Sequence, residues 1–230
     1  MMITIRVLQV PAELPEGYWN FFLSHVSEER REQASRFVRL ADAYRSVLGE
    51  VLTRVTLSKL TGQKPGELFF TRNKYGKPAL SHDPNVQFNV SHSGDWIALI
   101  SGVVATADLG VDVEKIAPID MKIAERFFSL TESQFLAAEP AEMQLETFYR
   151  LWTLKESYIK AVGMGLSMPL DSFSMIRKAD GNWHSPEAAS YPFLSLRLDQ
   201  GHMLAACSAG EELPAQPDVI TMEELYQALI

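Results

Sequence analysis

Two long stretches of the sequence carry apolar residues at helical spacing. The first predicts a helix from Glu28 to Leu60, in one piece or two, with Ser27 as its N-cap and Gly62 just beyond its end. The second predicts a helix from Leu145 to Val162, with Gly163 in the C-cap position.

Shorter apolar runs bounded by turn residues predict strands. They lie at Ile3–Val10, Val86–Val90, Trp96–Val104, Leu109–Glu114, Ser172–Ile176, Leu194–Leu198 and Met203–Cys207. The acidic tail from Gly210 is expected to be peripheral, apart from a short helix near Met222–Leu229. Strands interleaved with long helices predict the α+β class. Because the order of extended segment, long helix, turn and strands occurs twice, we expect two related halves, residues 1–108 and 109–230.

The composition narrows the class of protein. With 47% hydrophobic and 22% charged residues in 230, the chain is neither disordered nor collagen-like. Its one cysteine, Cys207, cannot form an internal disulfide, and no Cys/His cluster has zinc spacing, which favours a cytoplasmic protein. The N-terminus lacks the pattern of a secretion signal, and no apolar run approaches the roughly 20 residues of a membrane span.

The charge is unevenly distributed. A net charge of −8 argues against a general nucleic-acid binder. Residues 30–77 nevertheless contain 11 Lys and Arg against 4 Asp and Glu. This local excess suits a small polyanionic ligand.

Asp112 and Glu114 belong to the segment Gly110-Val111-Asp112-Val113-Glu114. Side chains alternate between the faces of a strand, so the two carboxylates share one face and the valines the other. Such a pair is compatible with a magnesium site, because Mg²⁺ prefers oxygen ligands. It is equally compatible with an edge strand whose outer face is wet.

The second predicted helix places Glu156 and Lys160 one turn apart on one ridge. Taken alone, this spacing is typical of a solvated surface pair. Lys155 falls within the apolar stripe, where an unpaired ammonium would be costly, so it must either extend to the surface or meet an anion.

Ser91 and His92 lie where a strand enters a turn rich in short polar side chains. Such a turn can bind phosphate oxygens. Taken alone, however, the segment favours ordinary hairpin chemistry, with His92 capping the turn. The phosphate-loop, dinucleotide-binding and serine-hydrolase motifs are missing from the sequence. A basic region, a polar turn and paired carboxylates together favour phosphoryl chemistry with a bound metal.

Five motifs in a fixed order carry a family resemblance. They are YGKP at 75–78, FNVSHS at 88–93, GVDVEK at 110–115, RFFSLTE at 126–132 and LWTLKESYIKAVGMGLSMPLDSF at 151–173. In this order they resemble the surfactin-type 4'-phosphopantetheinyl transferases. The resemblance implies two pseudosymmetric α/β halves with the active site at their interface.

The resemblance also implies an activity and its residues. The family transfers the 4'-phosphopantetheine arm of coenzyme A to a serine of an apo carrier protein, with Mg²⁺, and releases adenosine 3',5'-bisphosphate. The metal ligands would be Asp112, Glu114 and Glu156, and the catalytic residues Glu156, as the base acting directly or through water, and Lys160. Coenzyme A would contact Arg30, Arg36, Arg45, Lys77, Pro78, Ser91, His92, Lys155 and Lys160.

Some positions depart from the family pattern or have less defined roles. Gln33 stands where relatives can have a basic residue, so Arg30 or Arg31 would have to hold the 3'-phosphate. Glu132 matches an acidic residue after RFF with no assigned role. Phe127, Phe128 and Met164–Leu166 are candidate carrier contacts, although core packing is the alternative for Phe127.

The implied partners are coenzyme A and apo peptidyl, acyl or aryl carrier proteins, with no nucleic acid or membrane, and the enzyme would be a monomer. The sequence does not distinguish carriers of peptide, polyketide and fatty acid synthases. Two rival functions stay open. One is a catalytically silent module that binds coenzyme A or carrier proteins, and the other is a metal-dependent hydrolase of phosphate esters.

Overall fold

The computed structural model describes residues 3–104 and 108–230, without the side chain of Leu166. Its helices are α1 (Glu16–Ser24), α2 (Glu28–Ala34), α3 (Leu40–Thr61), α4 (Lys122–Phe127), α5 (Leu130–Ala138), α6 (Ala141–Val162) and α7 (Met222–Gln227). Its strands are β1 (Thr4–Gln9), β2 (Phe70–Arg72), β3 (Pro78–Leu80), β4 (Val86–Ser93), β5 (Trp96–Val103), β6 (Leu109–Lys115), β7 (Ile176–Arg177), β8 (Trp183–His184), β9 (Phe193–Asp199), β10 (His202–Ser208) and β11 (Asp218–Ile220). This mixture confirms the α+β class.

The longer strands form two sheets. The first has the order β11-β1-β5-β4, with β1 parallel to β11 and antiparallel to β5. The second has the order β6-β10-β9 and is antiparallel, with Asp112 opposite Ala205. The pairs β2–β3 and β7–β8 stand apart from these sheets.

Each sheet is covered by one long helix. Both α3 and α6 have 22 residues, and both end at a glycine in the left-handed conformation, Gly62 with φ 72° and Gly163 with φ 73°. Glycine is favoured there because it has no side chain to clash. Helix α3 packs through residues such as Val47 and Val51 on the first sheet, and α6 through residues such as Leu154 on the second.

The two sheets also share a core. Ile5, Val7 and Ile100 of the first sheet pack with Val111 and Leu204 of the second, and all are almost completely buried. Burial of each such side chain is worth about 1.5–3 kcal/mol. This shared core holds the sheets in a fixed relation, which matters because the candidate site lies between them.

Strand β6 meets β4 through side chains instead of a backbone ladder. Backbone amides of β6 donate to polar side chains of β4, from Val111 to Asn89 Oδ1 (3.0 Å), from Val113 to Ser91 Oγ (3.4 Å) and from Lys115 to Ser93 Oγ (3.1 Å). These bonds fix the register of the two strands.

Gly110 allows α6 to lie directly on β6. A Cβ atom at this position would stand 1.9 Å from the carbonyl oxygen of Ser157 and 2.6 Å from the amide of Ala161. Only glycine permits this approach, so Gly110 sets how closely α6 faces the carboxylates of β6.

The predicted helices are largely confirmed, with shifted boundaries. The helix expected over 28–60 is divided into α2 and α3, and Ser27 caps α2 by accepting a hydrogen bond from the Arg30 amide at 3.2 Å. Helix α6 begins at Ala141, earlier than Leu145, directly after Pro140. Proline fits there because the first turn of a helix needs no backbone donor.

The strand predicted at Ser172–Ile176 is wrong. Leu170–Ser172 forms a 3₁₀ turn, and the strand contains only Ile176 and Arg177. Phe173 and Met175 are both buried and imitate a strand alternation. Their backbone groups bond instead to a buried ion pair, the Phe173 carbonyl to Lys155 and the Met175 amide to Glu132.

The short helix predicted near Met222–Leu229 is confirmed as α7, but the rest of the C-terminal segment is not peripheral, contrary to the prediction. Strand β11 extends the first sheet, and Leu225 of α7 is buried against that half. The chain after residue 109 therefore returns to the first sheet, and the division at 108/109 stays a prediction. No helix within 3–104 and 108–230 is long and apolar enough to cross a membrane.

Candidate active site

Strand β6 presents Asp112 and Glu114 on the face turned away from the shared core. Asp112 is only 2% exposed, because β4 covers it. Ser91 Oγ donates to Asp112 Oδ1 at 2.8 Å, and Ser93 Oγ donates to Glu114 Oε2 at 2.7 Å. Strand β6 does lie at the edge of its sheet, but Asp112 is covered, so the alternative of a wet outer face is wrong.

Helix α6 brings Lys160 to the same place. Its Nζ lies 2.6 Å from Asp112 Oδ1 and 2.8 Å from Ser91 Oγ. Among the ion pairs of the described residues, Lys160 pairs with Asp112 and not with Glu156. The ridge of α6 is thus more than a solvated surface pair.

Glu156 joins Asp112 and Glu114 in what we call the acidic cluster. Burial raises the pKa of Glu114 to about 7, and the charges of Asp112 and Glu156 act in the same direction. Burial and the charge of Asp112 likewise raise the pKa of Glu156. The strand carboxylates and the helix carboxylate therefore lie close enough to influence one another.

The acidic cluster fits a divalent cation in its chemistry. Asp112 Oδ2 is buried and lacks a hydrogen-bond partner among the residues described, an arrangement that is costly unless a cation compensates it. Carboxylate oxygens are the ligands that Mg²⁺ prefers. The cluster is not preformed, because no three His, Cys, Asp or Glu side chains in 3–104 and 108–230 are arranged to hold a metal.

A cavity of about 250 Å³ opens next to the acidic cluster, between α2, α3 and β4. We call it the basic cavity. Four arginines line it together with aromatic and other apolar side chains, and the lining includes Arg30, Arg45, Arg54, Arg72, Phe70, Phe88, Pro78 and His92. Guanidinium groups around an apolar wall suit a nucleotide with several phosphates.

Glu50 fixes two arginines of the basic cavity. Its carboxylate lies 2.9 Å from Arg30 Nε and 2.8 Å from Arg54 Nε. Burial opposes ionisation of Glu50, but hydrogen bonds from Ser27, Arg54 and Arg30 outweigh it and lower the Glu50 pKa. Arg54 was not predicted as a site residue, although its position four residues after Glu50 in a basic region was a usable signal.

Comparison with known proteins agrees with this geometry. Residues 108–207 match the 4'-phosphopantetheinyl transferase superfamily, and residues 15–104 match the family described as 4'-phosphopantetheinyl transferase, N-terminal. The 4'-phosphopantetheinyl transferase Sfp of Bacillus subtilis (strain 168) is 38% identical over 207 residues, or 89% of this chain and 91% of that protein. The chain belongs to the 4'-phosphopantetheinyl transferase family.

Further relatives are consistent with this membership. The 4'-phosphopantetheinyl transferase ffp of Bacillus subtilis is 40% identical over 206 residues, or 88% of this chain and 91% of that protein. A holo-(acyl-carrier-protein) synthase from Bacillus anthracis str. Ames, solved in complex with CoA (3',5'-ADP), has 17% identity and a TM-score of 0.39. It covers 44% of this chain and 93% of that chain, a likeness too weak to support a conclusion. The resemblance seen in the motifs is confirmed by the close relatives.

Four of the residues predicted to bind coenzyme A line the basic cavity of this phosphopantetheinyl transferase, namely Arg30, Arg45, Pro78 and His92. Burial lowers the pKa of His92, and the charges of Arg45 and Lys160 act in the same direction. Ser91 lies just beyond the cavity, between Asp112 and Lys160. The ligands expected from the sequence are therefore divided between the basic cavity and the acidic cluster.

Arg36 is placed differently from the prediction. Its side chain is 77% exposed, pairs with Glu32 at 3.5 Å and does not line the basic cavity. Arg31 is also turned away, since it donates to the Val26 carbonyl. Gln33 does line the cavity and accepts a hydrogen bond from Arg30 Nη1 at 2.9 Å, so it orients the arginine that remains.

Lys77 connects the segment before β3 with β6 and α6. Its Nζ donates to the carbonyl of Ala161 at 2.6 Å and to that of Leu109 at 3.2 Å. Asn73 donates to the carbonyl of Gly163 at 3.0 Å. The carbonyls of Ala161 and Gly163 lie at the C-terminal end of α6, where a positive charge is also favourable. The Lys77 ammonium bonds to protein carbonyls and does not line the basic cavity, so its contact with coenzyme A stays a prediction, while Pro78 beside it lines the cavity.

Lys155 is a structural residue. Its side chain has no exposed surface, and its ammonium contacts both carboxylate oxygens of Glu132 at 2.7 Å and the Phe173 carbonyl at 2.6 Å. All three donors are used, so Lys155 cannot also bind coenzyme A. The expected anion exists, but it is Glu132, a residue whose role the sequence left undefined.

The predicted carrier contacts are mostly core residues. Phe128 is buried, and Phe127 is half-buried with its ring 5.8 Å from that of Trp152. Met164 is 37% exposed and available to a partner. The side chain of Leu166 lies outside the described part of the chain.

Proposed function

We propose that this chain transfers the 4'-phosphopantetheine arm of coenzyme A to a serine of an apo carrier protein and releases adenosine 3',5'-bisphosphate. The observation that carries the proposal is the position of the basic cavity beside the acidic cluster, joined by His92, Ser91 and Lys160. The basic cavity suits a nucleotide, and the acidic cluster suits chemistry at a diphosphate. Membership of the 4'-phosphopantetheinyl transferase family supports reading the two together as a site for coenzyme A.

Coenzyme A would bind with its nucleotide end in the basic cavity. Arg30 and Arg45 are suited to its phosphates, because guanidinium groups form paired, charge-assisted hydrogen bonds with phosphate oxygens. Lys160 and His92 stand at the side nearest the acidic cluster, where the diphosphate would lie. The apolar wall at Phe70 and Phe88 suits the base.

Asp112, Glu114 and Glu156 would hold the magnesium ion. When bound, magnesium offsets the charge of the diphosphate and stabilises the negative charge that develops as a phosphorus–oxygen bond breaks. The orphaned Asp112 Oδ2 and the raised pKa values of Glu114 and Glu156 support this assignment. Lys160 would have to share Asp112 with the ion.

The chemical step replaces a phosphoanhydride bond of coenzyme A with a phosphate ester bond to the carrier. The serine oxygen of the carrier forms a bond to the phosphorus that bears pantetheine, and the bond from that phosphorus to the bridging oxygen breaks. Adenosine 3',5'-bisphosphate leaves with the bridging oxygen. The serine proton passes to Glu156, directly or through water, and a carboxylate with a raised pKa is better able to accept it. Lys160 stabilises the charge on the phosphate oxygens.

The remaining partner assignments are part of the proposal. The acceptors would be peptidyl, acyl or aryl carrier proteins, and the enzyme would act as a monomer in the cytoplasm. Cys207 is buried, and burial raises the pKa of its thiol to about 12, so it is unsuited to disulfide exchange.

The test is incubation with coenzyme A, Mg²⁺ and apo carriers of each class, followed by intact mass measurement. The expected result is a gain of one phosphopantetheine on the carrier serine. Asp112→Asn and Glu156→Gln should abolish it, while Glu142→Gln, at an exposed position of the same helix, should not. A wild-type protein that binds coenzyme A without modifying any carrier would support the silent module. Release of free phosphopantetheine without a carrier would support the hydrolase.

A further inference from the structure

A buried histidine outside the transfer chemistry lies where the two halves meet. His202 opens β10 and is 4% exposed. Its Nδ1 stands 3.0 Å and 3.2 Å from the two carboxylate oxygens of Asp199. Asp199 also accepts from Trp96 Nε1 and from the amide of Gly201, both at 2.7 Å. Asp199, itself fixed by Trp96 and Gly201, therefore sets the orientation of the His202 ring through Nδ1.

The other ring nitrogen of His202 faces the first half. The backbone amide of Asp95 donates to Nε2, at 3.4 Å. Burial opposes ionisation of Asp199, but hydrogen bonds from Trp96 and His202 outweigh it and lower its pKa, so Asp199 is an acceptor. A carboxylate at Nδ1 and an N–H at Nε2 together require the neutral tautomer that carries its proton on Nδ1.

The imidazole touches the turn between β4 and β5. Gly94 in this turn has φ 54°, and a Cβ atom there would lie 2.3 Å from His202 Nε2 and 2.9 Å from Cδ of Lys115. Both neighbours belong to the second half. The turn therefore packs against His202 and Lys115 so closely that residue 94 has no room for a side chain.

The same turn supports both parts of the candidate active site. The Gly94 carbonyl accepts from Arg45 Nη1 at 2.6 Å, and Arg45 lines the basic cavity. Ser93 donates to Glu114 of the acidic cluster at 2.7 Å. Displacement of the turn would therefore move one cation of the cavity and one carboxylate of the cluster together.

We propose that Asp199 and His202 form a positioning pair that holds the turn at residues 93–96, and through it Arg45 and Glu114, in place for coenzyme A and the metal. Neither Asp199 nor His202 lines the basic cavity or belongs to the acidic cluster, so the pair acts through the turn. The inference rests on the proposed function only for the identity of the ligands. The contacts of Asp199 and His202 with the turn do not depend on that function.

The kinetic test compares three substitutions at one position. His202→Ala removes both contacts, His202→Asn keeps a donor near Asp199 but is too short to reach Asp95, and His202→Gln offers an acceptor near Asp95. We expect His202→Ala to raise the KM for coenzyme A by about three- to tenfold, with a smaller change in kcat. His202→Gln should restore more of the KM than His202→Asn. His82→Ala, the same substitution at an exposed histidine, should change nothing.

Thermal melting of each variant separates positioning from simple stability. Variants that melt at lower temperature yet keep the wild-type KM for coenzyme A would overturn the inference. The dissociation constant of coenzyme A without a carrier should rise in parallel with the KM, which gives a readout independent of turnover.

The tautomer can be measured with no ligand present. Nitrogen-15 NMR of histidine-labelled protein should show His202 with a protonated Nδ1 and an unprotonated Nε2. A proton on Nε2 would overturn the inference even if the transferase is active. Conversely, a wild-type protein that modifies no carrier would contradict the proposed function and leave the NMR result and coenzyme A affinities to decide this inference.

Discussion

Two lysines five residues apart on α6 have opposite environments. Lys155 and its partner Glu132 are both fully buried, and every donor of the ammonium is used. Lys160 is 29% exposed, and its partner Asp112 retains a buried oxygen with no hydrogen bond among the described residues. The Lys155–Glu132 pair is buried and has all the donors of its ammonium in use. The Lys160–Asp112 pair is partly exposed beside the basic cavity and keeps a carboxylate oxygen without a hydrogen bond among the described residues.

The difference separates structure from function within one motif. Separating the buried Lys155–Glu132 pair would leave charges without partners, so this pair holds α5, α6 and the segment at Phe173 together. An incomplete pair next to a cavity has capacity for a further charged group. Adjacent charged residues in a motif can therefore have unrelated roles, and exposure with unmet hydrogen bonding distinguishes them.

The largest expected effect is on stability, from Lys155→Met. It leaves the carboxylate of Glu132 buried without its cation, which should lower the free energy of unfolding by about 3–5 kcal/mol. Denaturant melts measure the loss. The double variant Lys155→Met, Glu132→Gln should recover part of it, because the unpaired charge is gone. A single variant as stable as the wild type would contradict the structural role.

The next effect is on catalysis, from Lys160→Met, the same substitution in the Lys160–Asp112 pair. We expect the rate of carrier modification to fall by about 100-fold or more, since a cation beside the reacting phosphate is lost. The free energy of unfolding should fall by less than for Lys155→Met, by about 1 kcal/mol, because Lys160 is 29% exposed and solvent already screens its charge. Initial rates by intact mass and denaturant melts provide the two numbers. If Lys160→Met lost as much stability as Lys155→Met, the claim that the two lysines have different roles would be contradicted.

A smaller effect is the pH dependence of the acidic cluster. Because burial raises the Glu114 pKa from 4.5 to about 7, the folded protein binds more protons there than the unfolded chain between these values. Its contribution to stability is complete below about pH 4.5 and is lost as the pH rises through about 7. We expect a loss of about 1–2 kcal/mol, after allowance for the exposed part of the side chain.

Thermal melts of metal-free protein at pH 5.5 and pH 8 provide the measurement. Glu114→Gln should reduce the difference between them, and Glu125→Gln, at an exposed position, should not. Mg²⁺ should stabilise the wild type at pH 8, which is above the pKa of about 7 of Glu114. An identical pH dependence in wild type and Glu114→Gln would show that Glu114 is not perturbed.

The sequence predicted the elements whose cause is local. Ser27 and Gly163 mark helix ends through their own backbone chemistry, and the alternation around Asp112 set its face correctly. The motif order indicated the family before any contact was known. These signals depend only on neighbours along the chain.

The sequence could not predict which charges are paired across the fold. Lys77 and Lys155 lie in the motifs that contain the expected ligands, yet both ammonium groups bond to distant protein oxygens. The partners of Lys77 are 32 and 84 residues away, and those of Lys155 are 23 and 18 residues away. Glu50 and Arg54 are four residues apart on α3, so their ion pair could be predicted, but the cavity that they line could not. Partners far apart in the sequence, and cavities between elements, are fixed by tertiary packing, about which periodicity contains no information.

The most direct test of the central claim is a titration of the metal-free protein with Mn²⁺ in the presence of coenzyme A, followed by electron paramagnetic resonance. The account predicts that the wild type binds one ion per chain and that Asp112→Asn weakens binding by about tenfold or more. Asp171→Asn, at an exposed aspartate, should leave it unchanged. Equal affinity in the wild type and Asp112→Asn would contradict the claim that the acidic cluster holds the metal.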